Sequence, residues 1–135
     1  MKIFICCSKH FYSKIPEIKE KLEKSGYTIT LPNSYDEPLQ EERLKKENKD
    51  KHVAWKANMI RAQESKVRAN DSILVLNYEK NGQANYIGGA TFLEIFKAFE
   101  LNKKIYFLNP IPEGILKDEL TAFNPTIING DLSKL

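Results

Sequence analysis

Cysteine is scarce in this sequence, and long hydrophobic runs are absent from it. The two cysteines, Cys6 and Cys7, are adjacent, so they cannot build a disulfide framework, and they lack the spacing of metal ligands. No apolar stretch is long enough to span a bilayer, and there is no secretory signal pattern. We therefore expect a cytoplasmic protein with reduced thiols, no metal, no cofactor and no membrane partner.

A strong excess of one charge is also lacking. The formal net charge of +3 is too small to indicate a nucleic acid polymer as a partner. A hydrophobic content of 41% and a charged content of 29% are typical of a folded globular protein rather than a disordered one. The 135 residues are enough to bury a core without disulfides. We predict a single domain over 1–135, with a charged insert at about 36–51.

Short apolar runs alternate with helical patterns along the chain. The first run, Lys2–Cys7, is almost continuously apolar, as is typical of a central parallel strand covered on both faces. Strands that alternate with helices indicate a parallel sheet between helical layers. We predict an α/β fold, a flavodoxin-like or Rossmann-like three-layer sandwich whose five-stranded parallel sheet has the order 2-1-3-4-5. The other predicted strands are Tyr27–Leu31, Ser72–Leu76, Ile105–Leu108 and Thr126–Ile128.

Helices are predicted between these strands. Ser13 can cap the first of them, a second covers about 50–69, and a short one covers 111–123, with prolines in front. The segment 36–51 is different, because it is dense in both signs of charge and nearly free of large apolar residues. It is either a solvated loop or exposed helix, or a mobile flap over a site.

One carboxylate stands at the start of an otherwise apolar helix. Thr91 followed by Glu94 has the pattern of a capping box, which predicts a helix start at Thr91. Gly88 and Gly89, just before it, let the backbone approach a ligand closely, since neither carries a Cβ. Glu94 then has two interpretations. It caps its own helix, or it is a carboxylate in a dry crevice that acts as a nucleophile on a sugar or stabilises an oxocarbenium-like centre.

Three turns are predicted to surround one crevice at the carboxyl ends of the strands, near the switch point between the first and third strands. Ser8 offers a hydroxyl there and Lys9 a cation. The free N–H groups at the helix start, with Gly88-Gly89, favour an anion. Together these groups could hold a phosphate or sugar hydroxyls. The three turns are Cys7–His10, Asn77–Tyr78 and Tyr86–Glu94.

Four stretches carry a family resemblance: the first strand ending in Cys6-Cys7-Ser8, the run Asn70-Asp71-Ser72 into SILVL, Gly88-Gly89, and Glu94 with Ala98 four residues on. With them the chain resembles the nucleoside 2-deoxyribosyltransferase superfamily, including its branch that hydrolyses 2'-deoxynucleoside 5'-monophosphates. The resemblance implies that Glu94 is the nucleophile that attacks the anomeric carbon. It implies that Ser8 and the backbone of Gly88–Thr91 contact the sugar or the 5'-phosphate, and that Asp71 helps to handle the base.

The sequence therefore predicts cleavage or transfer at the N-glycosidic bond of a (deoxy)nucleoside or nucleotide. Two alternatives stay open. One is a non-catalytic nucleotide-binding or sensor domain, which Phe96 favours because the family commonly has glycine there. The other is an N-glycosidase acting on a dinucleotide such as NAD. Family members are homo-oligomers and the helix from Thr91 is apolar nearly all round, so we expect a homodimer or higher homo-oligomer with an isologous contact.

Overall fold

The computed structural model describes all 135 residues. Its five strands form one sheet in the order β2-β1-β3-β4-β5, and every neighbouring pair is parallel. The predicted fold class and strand order are confirmed. The strands are β1 Lys2–Cys6, β2 Thr28–Thr30, β3 Ser72–Val75, β4 Lys104–Phe107 and β5 Thr126–Ile127. The helices are α1 Ile15–Lys24, α2 Gln40–Glu47, α3 Lys49–Ala69, α4 Gly89–Glu100 and α5 Lys117–Ala122, with 3-10 turns at Lys9–Lys14 and Leu132–Lys134.

The hydrophobic core lies in two layers, one on each face of the sheet. Successive side chains of a strand point to opposite faces, so β1 sends Ile3 and Ile5 into one layer and Phe4 into the other. The first layer is closed by α1 with the 3-10 turn before it, and the second by α4, which contributes Ile95 and Ala98. Coverage on both faces explains why β1 and β3 are almost continuously apolar.

The first helix begins later than a Ser13 cap requires. A 3-10 turn, Lys9–Lys14, leads directly into α1, and Lys14 is the residue that precedes the helix. Ser8 instead caps the 3-10 turn, because its Oγ accepts a hydrogen bond from the His10 N–H at 3.4 Å. The Ser13 prediction is therefore wrong, and the β1–α1 connection is a folded turn that places Ser8 and Lys9 beside the end of β1.

The start of α4 also differs from the prediction. The helix begins at Gly89 with Gly88 as its N-cap, and no side chain caps it. The Phe92 N–H already donates to the Gly88 carbonyl at 2.9 Å, so Thr91 lies inside the first turn. The capping-box prediction is wrong, and the Glu94 side chain is left free for another role.

The charged segment forms an exposed helix followed by the start of a long one. No residue of α2 is buried, and α3 begins directly after Asn48, whose side chain accepts a hydrogen bond from the Lys51 N–H at 3.1 Å. The last helix is shorter than predicted, because Pro110, Pro112 and Gly114, at a φ of +136°, keep residues before α5 out of helical geometry. None of the helices combines the length and the apolar character that crossing a membrane requires.

The outer face of α4 is apolar and unpaired. Leu93, Phe96 and Phe99 are 38%, 42% and 46% exposed, and the Phe96 ring lies 6.3 Å from that of Phe123. Phe96 therefore packs on the outside of the helix. This exposed apolar face of α4 is a surface on which the expected isologous contact could form. The homodimer stays a prediction.

Candidate functional site

The main cavity lies beyond the carboxyl ends of the central strands and has a volume of about 740 Å³. Two of the three predicted turns line it: the turn after β1 and the turn before α4. The structure thus brings Ser8, Lys9, Gly88, Gly89 and Thr91 to one cavity. Helices α2 and α3 close its far side, so the charged segment is an exposed helix that also borders the cavity.

A smaller recess of about 70 Å³ adjoins the main cavity, and Glu94 lies in its wall. Further along the recess are Trp55 and Gln63 from α3. The Gln63 amide is buried and donates to the Ala90 carbonyl at 3.1 Å, which fixes the first turn of α4 against α3. The recess and the main cavity share six lining residues: Cys7, Tyr12, Ser34, Glu41, Lys56 and Ala90.

Glu94 is a buried carboxyl group without a contact partner. The residue is only 6% exposed, and its side chain neither receives a hydrogen bond nor pairs with a cation at contact distance. Burial raises the pKa of Glu94 to about 8, although the cations of Lys66 and Lys56 act in the opposite direction. The carboxyl group is therefore mostly protonated at neutral pH in the empty pocket.

Two groups near Glu94 hold their protons at neutral pH. Burial, with Glu94 nearby, raises the pKa of the Cys7 thiol to about 12, which makes Cys7 a poor nucleophile. Burial also raises the pKa of Tyr12 to about 12, and its hydroxyl lies 3.1 Å from Ser34 Oγ. Burial lowers the pKa of Lys66, whose Nζ donates to the Leu31 carbonyl at 2.7 Å. Of the three acidic groups, Glu94 is the one that changes charge near neutral pH.

The start of α4 offers backbone N–H groups to the main cavity. Its first turn has no capping side chain, so the N–H groups there are free to meet an anion or a hydroxyl. A Cβ on Gly89 would meet nothing within 4 Å, whereas one on Gly88 would lie 3.2 Å from the Tyr86 hydroxyl. A side chain at Gly88 would therefore crowd the Tyr86 ring, and Gly89 leaves open space.

Lys9 is already paired in this structure. Its Nζ lies 3.6 Å from Glu41 Oε1 and also contacts Glu42. Glu41 has two further partners, with His52 Nε2 at 3.0 Å and Lys56 Nζ at 3.3 Å. Burial alone would raise the pKa of Glu41, but the hydrogen bonds and charges of these partners outweigh it and lower that pKa to about 2.

Two predicted site residues lie elsewhere. Asn77 is fully buried and braces the ends of two strands: its Nδ2 donates to the carbonyls of Asn109 and Pro110 at 2.9 and 3.0 Å, and its Oδ1 accepts from the Asn109 N–H at 2.9 Å. Asp71 precedes β3 and so lies at the amino edge of the sheet, where its carboxylate accepts from the Lys2 N–H at 2.7 Å. The structure therefore does not bring Asn77 or Asp71 to the cavity.

Two contributors were missed from the sequence: Glu41 and Tyr12. Tyr12 lies just beyond Cys7–His10, the turn that was predicted to face the crevice. Trp55 lies on a helix, and its indole Nε1 is buried without a hydrogen-bond partner. No group of three or more His, Cys, Asp and Glu side chains comes together as metal ligands.

No protein-family model matches the chain, and no curated protein matches it either. The fold defines the class: a Rossmann-like α/β protein with a five-stranded all-parallel sheet in the order 2-1-3-4-5. The resemblance to the nucleoside 2-deoxyribosyltransferase superfamily stays a prediction from the residues that carry it.

Proposed function

We propose that the protein cleaves or transfers at the N-glycosidic bond of a (deoxy)nucleoside or nucleotide, with Glu94 as the nucleophile. The observation that carries this proposal is the Glu94 carboxyl group itself, buried in a recess of the main cavity with no hydrogen bond and no paired cation. A structural carboxyl group is normally hydrogen-bonded or paired when it is buried. An unpaired one beside a ligand-sized cavity is typical of a reactive group.

The chemistry needs only this carboxylate and a departing base. A carboxylate oxygen of Glu94 attacks the anomeric carbon, the C–N bond breaks, and the base leaves with the electron pair and takes up a proton. The product is a glycosyl ester on Glu94. Water or a second base then attacks the anomeric carbon, the ester C–O bond breaks, and the Glu94 carboxylate returns. The acceptor alone distinguishes a hydrolase from a transferase.

The low-polarity recess favours this reaction in two ways. A carboxylate without a hydration shell is a stronger nucleophile than a hydrated one. The attacked sugar also develops positive charge in an oxocarbenium-like transition state, which a nearby anion stabilises. The same burial has a cost, because it keeps the carboxyl group protonated until the pH approaches about 8.

The main cavity supports a nucleotide as the substrate. Its volume of about 740 Å³ lies within the range of small-molecule sites, roughly 300–1,000 Å³. Ser8 and the first N–H groups of α4 can meet sugar hydroxyls or a 5'-phosphate. The lysines in its wall favour an anionic substrate over a neutral one. They are Lys9, Lys45, Lys56 and Lys80.

One observation also favours a nucleotide-binding sensor. Because the Glu94 carboxyl group is mostly protonated near neutral pH, the same pocket could bind a nucleotide without attacking it. Turnover at higher pH distinguishes an enzyme from a sensor, since deprotonation then supplies the nucleophile.

The pH dependence of base release tests the proposal. Deoxynucleosides, deoxynucleoside monophosphates and NAD are incubated with the protein, with and without an acceptor base, and free base is quantified by chromatography. Because only the ionised carboxylate attacks, kcat/KM should rise about tenfold per pH unit and level off above the Glu94 pKa of about 8. A rate that is flat across that pH range would contradict a nucleophilic Glu94, and nucleotide binding without base release at any pH would identify a sensor.

A further inference from the structure

Helix α2 forms one wall of the main cavity with little apolar anchorage. Glu41 and Lys45 on this helix line the cavity, yet α2 has no buried residue. Its one leucine, Leu44, is only half-buried, and Leu39, just before the helix, is 73% exposed. Segments with little buried apolar area are the ones that open most readily. Polar contacts are therefore a large part of what holds the helix in place.

The contacts that hold α2 converge on Glu41. This residue's side chain is 16% exposed and lies 3.0 Å from His52 Nε2, 3.3 Å from Lys56 Nζ and 3.6 Å from Lys9 Nζ. His52 and Lys56 belong to α3, and Lys9 belongs to the turn after β1. Glu41 thus joins α2 to both neighbouring elements, and Glu42 adds a second contact between α2 and Lys9. Glu41 remains ionised over the physiological range, because its partners hold its pKa at about 2.

Two polar atoms on α2 and α3 have no hydrogen-bond partner. They are Glu42 Oε2 on α2 and Trp55 Nε1 on α3, and both are buried. A buried polar group without a partner is unfavourable, because it has lost its hydrogen bonds to water. A movement of α2 that let water or a ligand reach these atoms would recover some of these hydrogen bonds. Helix α2 therefore has the features of a cavity wall that can move away from the cavity.

We propose that Lys9, His52 and Lys56 form an anion-binding site that the chain's own Glu41 carboxylate occupies. A ligand that carries a phosphate or a carboxylate competes with Glu41 for these three side chains and releases α2 from the pocket wall. Glu41 thereby limits access to the pocket and favours anionic ligands over neutral ones. This site goes beyond the proposed function, because it requires an anion in the pocket and no chemistry at Glu94.

Binding of inorganic phosphate to Glu41→Gln tests the site. Calorimetry measures phosphate and, in a second arm, acetate on the wild type and the variant. Because the internal competitor is gone, Glu41→Gln should bind the preferred anion about tenfold more tightly. Glu47→Gln is the matched control, since Glu47 is exposed on the same helix outside this cluster, and its affinity should equal that of the wild type. Tightening toward either anion supports the site, and the tighter one identifies the ligand class.

Two further measurements separate the site from a purely structural ion-pair cluster. Adding Lys56→Met to Glu41→Gln should abolish the gain in affinity, since it removes one of the binding cations. Hydrogen exchange of the α2 amides should accelerate in the wild type when phosphate is added, and should be fast in Glu41→Gln with or without phosphate. The proposal would be overturned if a folded Glu41→Gln protein bound phosphate and acetate no more tightly than the wild type. It would also be overturned if hydrogen exchange of the α2 amides changed neither with phosphate nor with the substitution. Base release by the same variants is measured separately, so failure here leaves the role of Glu94 intact.

Discussion

Glu94→Gln should lower kcat for release of base from a nucleoside or nucleotide by about 1,000-fold or more. The amide has nearly the same shape as the carboxyl group, but it carries no charge and cannot form the glycosyl ester. Substrate affinity should change far less, because the substrate's contacts with the start of α4 and with Ser8 are unaltered. The measurement compares initial rates of base release and calorimetric affinities for the two proteins.

Glu100→Gln is the matched control for this substitution. Glu100 lies at the exposed end of the same helix and pairs only with Lys97, at 2.6 Å, so its loss should leave the rate unchanged. A Glu94→Gln protein that is folded, binds substrate and releases base at the wild-type rate would exclude Glu94 as the nucleophile.

The pH dependence of stability should differ between the wild type and Glu94→Gln by a few kcal/mol. Glu94 has an ordinary carboxyl pKa of 4.5 when exposed and a pKa of about 8 in the folded protein. Because the folded pKa is raised, folding favours the protonated form, and the unfolded chain gives up its proton first as pH rises. The contribution of Glu94 to the stability of the wild type is therefore fully present below about pH 4.5, is lost from there to about pH 8, and stays absent above that range.

Urea unfolding of both proteins at about pH 5 and about pH 9 measures this effect. The free energy of unfolding of Glu94→Gln minus that of the wild type should be larger at about pH 9 than at about pH 5, by on the order of 4 kcal/mol. Comparing the difference at two pH values cancels any fixed cost of burying the amide. A difference that does not change with pH would show that the Glu94 carboxyl group is not desolvated.

The sheet was predictable from the sequence because burial on both faces leaves a strong local pattern. Lys2–Cys7 and Ser72–Leu76 are short apolar runs, and a parallel strand covered by helices on both sides needs such a composition. The alternation of strands with helices then leaves few arrangements, and right-handed crossovers reduce them further. The observed order follows from these rules.

The start of α4 was mispredicted because two local signals competed. Thr91 and Glu94 have the spacing of a capping box, yet the backbone N–H of Phe92 closes a helical turn onto Gly88 at 2.9 Å. Glycine ranks with threonine as an N-cap, but Thr91 also has a glutamate three residues later, so a pattern-based argument chooses the threonine. The correction favours the functional interpretation, because Glu94 is freed from its own backbone.

The polar residues of the site were harder to assign. Asn77 has the position of a ligand contact, but its amide is used in three hydrogen bonds that brace neighbouring strand ends. Glu41 lies in a segment where charges of both signs alternate, and nothing in such a segment shows which carboxylate will turn inward. Its partners Lys9 and His52 are distant in sequence, so only the folded chain brings them together.

The most direct test of a nucleophilic Glu94 is to detect the sugar attached to it. The protein is mixed with a deoxynucleoside 5'-monophosphate at a pH near the Glu94 pKa, quenched in acid during turnover, digested and examined by mass spectrometry. We predict a single pentosyl phosphate on the peptide that contains Glu94, formed as base is released and missing from the Glu94→Gln protein. Release of base with no sugar on Glu94, or with the sugar on another residue, would contradict the account.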